Sequence, residues 1–101
     1  MQFSSNLFIS EGLEEKKDKI MKKMVKKRKI FPVYCITLPR NPHNLLEIIE
    51  YHQFLQKHYG IYEPYEVGIA GSKEEATTLV IKIIETVYNK TSGFDMKEYF
   101  S

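Results

Sequence analysis

The chain has 101 residues, of which 43% are hydrophobic and 28% charged, with a net charge of +2 and a single cysteine, Cys35. Those proportions are those of a globular chain and exclude a disordered one, and a lone thiol excludes an internal disulfide scaffold. The length suits one domain spanning residues 1–101. Residues 1–10 hold no apolar run of signal-peptide length, and no stretch approaches the roughly 18 apolar residues of a membrane span. The expectation is a cytoplasmic protein with no membrane partner.

Charge is unevenly spread. Residues 11–29 carry eight lysines and Arg28 against four acidic side chains, so this segment is +5 and the remainder −3.

In chain order, Asn6-Leu7-Phe8-Ile9 reads as a short strand, and Ser10 stands where a helix N-cap would stand. Leu13, Ile20, Met21, Met24 and Val25 then fall on one stripe at helical period. Acidic residues occupy the first turns of that helix and Lys26, Lys27, Arg28 and Lys29 the last, which complements its dipole. The run Val33 to Leu38, bounded by Pro32 and Pro39, is β-branched, aromatic and nearly all apolar, as in a strand covered on both faces.

The link Pro39-Arg40-Asn41-Pro42 ends that strand. Asn41 with Pro42, or Asn44 with Glu47, would start a second helix. Leu45, Leu46, Ile48, Ile49, Tyr51, Phe54, Leu55 and Tyr59 give this helix more apolar surface than one stripe, and Gly60 would stop it. A third strand follows from Tyr65 to Gly71, after the link 61–64. Its alternation puts Tyr65, Val67 and Ile69 on one face and Glu66, Gly68 and Ala70 on the other. Ser72 with Glu75 fits a capping box for a third helix. Ala76, Leu79, Val80, Ile83, Ile84, Val87 and Tyr88 form its stripe. Thr91-Ser92-Gly93 would end it, leaving an aromatic tail able to dock.

The expected fold is therefore α/β, a three-stranded parallel sheet in the order βαβαβα, like half of a flavodoxin-like or Rossmann-like sheet. Strand order 2-1-3 is favoured by precedent and 1-2-3 by the apolar second strand; we adopt 2-1-3.

Ligands of open parallel sheets bind beyond the carboxyl ends of the strands. In this arrangement Ser10, Arg40, Asn41, Ser72 and Lys73 would meet there and could receive a small anion. Links of this kind need turn and capping residues in any case, and the chain has neither a P-loop nor a G-x-G-x-x-G pattern. The lysines of the first helix lie on its solvent side without interleaved aromatic residues. A solvated face explains them better than a nucleic-acid contact. His43, Glu47 and Glu50 share a helix face at i, i+4 and i+7, but a hydrated polar stripe gives the same spacing, so no metal site is expected. Cys35, inside a core strand, is a packing residue rather than a nucleophile. No motif implies a cofactor, and no catalytic constellation is legible.

The segments Ile36-Thr37-Leu38-Pro39, Asn41-Pro42, Leu55 to Tyr59, Val67 to Gly71 and Glu74-Glu75-Ala76 resemble a group of small bacterial proteins to which no activity is assigned. The resemblance implies a bacterial cytosolic origin and a self-contained domain, and it transfers no functional residue. The expected function is a non-enzymatic interaction module that self-associates through the second helix, as a homodimer. A small anionic-ligand-binding domain is the alternative.

Overall fold

A computed structural model describes residues 2–26, 33–41, 43–55 and 64–100. Its secondary structure runs β1 (Gln2–Ile9), a 3-10 helix (Glu11–Lys16), α1 (Lys17–Val25), β2 (Tyr34–Thr37), β3 (Glu47–Glu50), a second 3-10 helix (Tyr51–Leu55), β4 (Tyr65–Ala70), α2 (Lys73–Thr91) and α3 (Met96–Phe100). Pro32, Pro42, the basic residues Lys27, Arg28 and Lys29, the 56–60 end of the expected second helix and the link 61–63 lie outside the described residues.

The fold is α/β, but the sheet is not the expected three-stranded parallel one. It has four strands in the order β1-β4-β2-β3. Only β1 and β4 are parallel; β2 runs antiparallel to both β4 and β3. The expected strand order falls with it. The physical reason lies in the expected second helix. Residues 47–50 pair as a strand with β2, Cys35 opposite Ile49 and Ile36 opposite Ile48. A hairpin reverses the chain where a helical crossover would have kept it parallel. The residues that were to cap that helix close the hairpin instead. The Glu47 carboxylate accepts the backbone N–H groups of Arg40 (2.8 Å) and Asn41 (3.3 Å), and Asn41 Oδ1 accepts the N–H of His43 (2.9 Å). The homodimer through a second helix therefore loses the element on which it rested.

The sheet separates two cores. On one side Leu13, Ile20 and Met24 pack on Val33, Cys35, Ile49, Tyr51 and Ile69. On the other, Ala76, Leu79, Ile83 and Val87 of α2 pack on Ile36, Val67 and Ala70, with Met96 and Phe100 of the docked tail. The tail is tied down where the Tyr65 hydroxyl donates to the Phe100 carbonyl at 2.8 Å.

Strict alternation in β4 does not hold. Ile36 pairs with Gly68 but Thr37 pairs with Glu66, so Val67 is an extra residue, a β-bulge. Val67 and Gly68 consequently both face α2. A Cβ on Gly68 would lie 3.3 Å from side-chain atoms of Ile36, Leu79 and Ile83, which is how closely α2 approaches. Glu66 and Ile69 face the α1 side.

α2 starts as the capping residues dictate: Ser72 Oγ accepts the Glu75 N–H at 3.1 Å. Ser10 makes no side-chain cap for the helix that follows it. Its hydroxyl accepts the Gly71 N–H at 3.2 Å, and its own N–H donates to Ile69 at 2.9 Å, which joins the ends of the two parallel strands. No helix among the described residues is long and apolar enough to cross a membrane.

Candidate functional site

The direction of β2 decides what becomes of the residues expected to converge. β1 and β4 end side by side, so Ser10, Ser72 and Lys73 gather at one end of the sheet. β2 begins beside Ala70 and ends beside Glu66, which carries Arg40 and Asn41 to the opposite end. The five residues are not brought together.

At the first end, Ser10 lines a cleft of about 640 Å³ between β1 and α2, with Glu11, Glu14, Glu74, Glu75 and Lys82. Four carboxylates against one ammonium repel an anion. Glu75 is also engaged with Ser72, its carboxylate 3.3 Å from Ser72 Oγ. At the other end Arg40 lines a cleft of about 440 Å³ whose walls are Leu38, Pro39, Leu45, Phe94 and Met96, with Asn44, Asp95 and Lys97 beside them. Arg40 Nε lies 3.7 Å from Glu47 Oε2. His52 Nδ1 lies 3.1 Å from Glu50 Oε1. His43, Glu47 and Glu50 share no helix face, because 47–50 is a strand, and no group of three or more metal-ligating side chains occurs among the described residues.

The α1-side core holds a polar cluster that sequence patterning missed. The bulge turns Glu66 into it, fully buried, opposite Thr37 and beside Cys35. Neither carboxylate oxygen nor Thr37 Oγ1 completes a hydrogen bond. Burial raises the Glu66 carboxyl to about 7, and the adjacent Cys35 thiol offsets part of that rise. The thiol itself is pushed well above its ordinary range, by burial first and by Glu66 second. A buried, protonated thiol is a poor nucleophile, so this cluster is a structural feature without an approach for substrate. Its sequence signal was a carboxylate inside an otherwise apolar strand.

The exposed apolar side chains are more informative. Among the described residues the exposed large hydrophobic side chains are Val25, Leu45, Ile48, Ile81, Tyr88 and Phe94. Helical geometry places them. The flank of α2 that carries Glu75, Thr78 and Lys82 borders β1. At 100° per residue, Ile84 and Tyr88 fall toward the opposite flank, whereas Ile81 lies nearly opposite the buried stripe of Ala76, Leu79, Ile83 and Val87, on the outer face of the helix. Tyr88 stacks on Phe94, ring centroids 5.0 Å apart. Phe94 and Leu45 line the same cleft. Ile48, opposite Ile36, faces the α2 side of β3, beyond the strands that α2 covers, and is 39% exposed. Leu45, Ile48, Tyr88 and Phe94 thus lie on one side of the sheet, about the apolar trough that Leu45 and Phe94 line. Its outer limit is a sheet edge: β3 pairs with β2 alone among the described strands.

No protein-family model, curated protein or solved structure matches the chain.

Proposed function

We propose that the protein is a non-enzymatic interaction module that self-associates through the trough that Leu45 and Phe94 line beside β3, in place of a helical surface. The observation that carries this reading is the exposed apolar group of Leu45, Tyr88 and Phe94, joined by a shared cleft and a ring stack, with the exposed Ile48 on the same side of the sheet. Scattered exposed apolar residues need no explanation, whereas a contiguous patch beside an open sheet edge is the usual mark of a docking surface. The edge supplies backbone donors and acceptors, and the trough supplies area. The absence of charge conflict supports the same reading. Glu47 and Glu50, the charged residues of β3, lie against Arg40 and His52 of their own chain.

Sedimentation equilibrium from micromolar to millimolar concentration tests the reading. The wild-type chain is expected to dimerise, and the double substitution Leu45→Ser, Ile48→Ser to weaken the dimer by about tenfold or more. That factor corresponds to roughly 1.4 kcal/mol, less than the burial of two aliphatic side chains contributes. Val25→Ser, which removes the exposed apolar side chain outside the trough, is expected to change nothing. A wild-type chain that stays monomeric at millimolar concentration would falsify the proposal.

A further inference from the structure

We infer that α1 is a flap held shut by a proton: while Glu66 is neutral the helix lies on the sheet, and when Glu66 gives up its proton the helix lifts, with the four strands and α2 still folded. α1 lies on the face away from the trough, so self-association is not involved.

The geometric ground is a carboxyl sealed in without partners. Both Glu66 oxygens and the hydroxyl of Thr37, its neighbour across the strands, are closed off from solvent and accept or donate no hydrogen bond. A neutral acid tolerates such a site, whereas a carboxylate there must reach water or a cation. Burial accordingly raises the group to about 7. No side chain around it supplies a positive charge. Cys35 and Thr37 face it from β2, Tyr51 from the second 3-10 helix and Phe3 from β1. On β3, Glu47 shares this face opposite Thr37, but its carboxylate is turned to Arg40 and the hairpin N–H groups. α1 brings Ile20 and Met24 to the core, and its lysines are exposed or half-buried. The one cation that draws the carboxyl down is the amino terminus of the chain, a smaller influence than burial.

The two helical layers differ in how easily they yield. α2 has 19 residues, a side-chain N-cap and a close approach over Gly68. α1 has nine residues, no side-chain cap at its start, and four lysines against Asp18 alone, with Lys19 and Lys23 one turn apart. A helix so short and so charged is unstable away from its packing. Its near end is fixed. Ser10 is bonded to Ile69 and Gly71, and the Leu13 side chain lies against Gly71, so the first 3-10 helix stays while α1 swings about it. Lifting α1 uncovers the face on which Glu66 sits and gives the carboxylate water at the smallest loss of packing.

Cys35 lies in the same core, fully buried, and reports the opening. Its labelling by an aromatic disulfide reagent is measured over a pH series and divided by the rate for the unfolded chain at each pH, which removes the titration of the thiol itself. That ratio is expected to rise about tenfold or more from about pH 5 to about pH 8 and to stay level in Glu66→Gln. Glu66→Met, which keeps the chain length without an ionisable group, is expected to stay level too and serves where the amide does not fold. Amide exchange, relative to intrinsic rates, is expected to quicken over the same range in α1 and not in α2. A ratio that does not change with pH, or that rises equally without Glu66, overturns the flap. Equal quickening in α1 and α2 overturns it as well, because the whole chain is then unfolding.

Discussion

The two faces of the sheet solve the problem of covering it in opposite ways. The α2 side has a long helix with a formed N-cap, a purely apolar buried stripe and a close approach over Gly68, yet it leaves Ile48 of β3 39% exposed. The α1 side is covered by 3-10 turns and a nine-residue helix, and its core admits a carboxyl, a thiol and a hydroxyl. One layer is well packed and laterally incomplete. The other is complete over β3, where Ile49 is 5% exposed, but chemically imperfect. The proposed docking falls on the well-packed layer, and the response to pH is expected from the layer that holds Glu66.

Three measurements would break or sharpen that contrast. The largest effect is expected from Ile83→Ala on the α2 side. This residue is fully buried against Gly68, and its truncation should cost about 3 kcal/mol in chemical denaturation, the middle of the range for such cavities. A loss below about 1 kcal/mol would show that the α2 layer is not the stability core.

Next comes the pH response of the α1 side. In the unfolded chain Glu66 ionises at its ordinary 4.5, in the folded chain at about 7. Between those values the folded state holds a proton that the unfolded state has released. Stability is then greatest below pH 4.5, falls as pH rises toward 7, and is level above it, so far as Glu66 governs it. The full swing is about 3 kcal/mol at most. Denaturation at a series of pH values should show this slope in the wild type and lose it in Glu66→Gln. An equal slope in both chains would exonerate the residue.

The smallest effect belongs to the helix start. Ser72→Ala removes the acceptor of the Glu75 N–H and should cost about 1 kcal/mol, with α2 fraying at its first turn in amide exchange. No change in exchange there would mean that packing alone holds the start of α2.

Much of this architecture is legible in the residues. The apolar run after Val33, the strand before Gly71 and the capped helix after Ser72 each have a single local solution, and the structure has all of them; of the stripe from Leu13 to Val25 it keeps Ile20 and Met24 buried on an α-helix, with Leu13 in a 3-10 turn and Val25 exposed. The segment from Leu45 to Leu55 has no single local solution. Apolar pairs at Leu45-Leu46 and Ile48-Ile49 satisfy a helix period, and a four-residue strand is too short for alternation to compete with it. The β2–β3 hairpin followed from that one segment, whereas the expectation that Arg40 would stand beside Lys73 failed at the α1 connection, which joins β1 to a strand running the opposite way. The trough was hidden for a different reason. Its residues come from a loop, a strand, a helix flank and the tail, and only the tertiary arrangement makes them neighbours. The inward turn of Glu66 was hidden because a bulge leaves no mark in composition.

The bulge at Val67 also constrains how this gene can change. In a surface loop, loss or gain of a single codon is absorbed by slack. In β4 the extra residue is already spent in the α2 core, between Glu66 on the α1 side and Gly68 on the other. Deleting Val67 would restore regular alternation and leave Glu66 on the α1 side, but it would take an apolar side chain out of the α2 core and draw Tyr65 and Glu66 out of step with Gln2 and Phe3. Descendants of this chain should therefore accept insertions between Pro39 and Leu46 far more readily than any change of length between Tyr65 and Ala70.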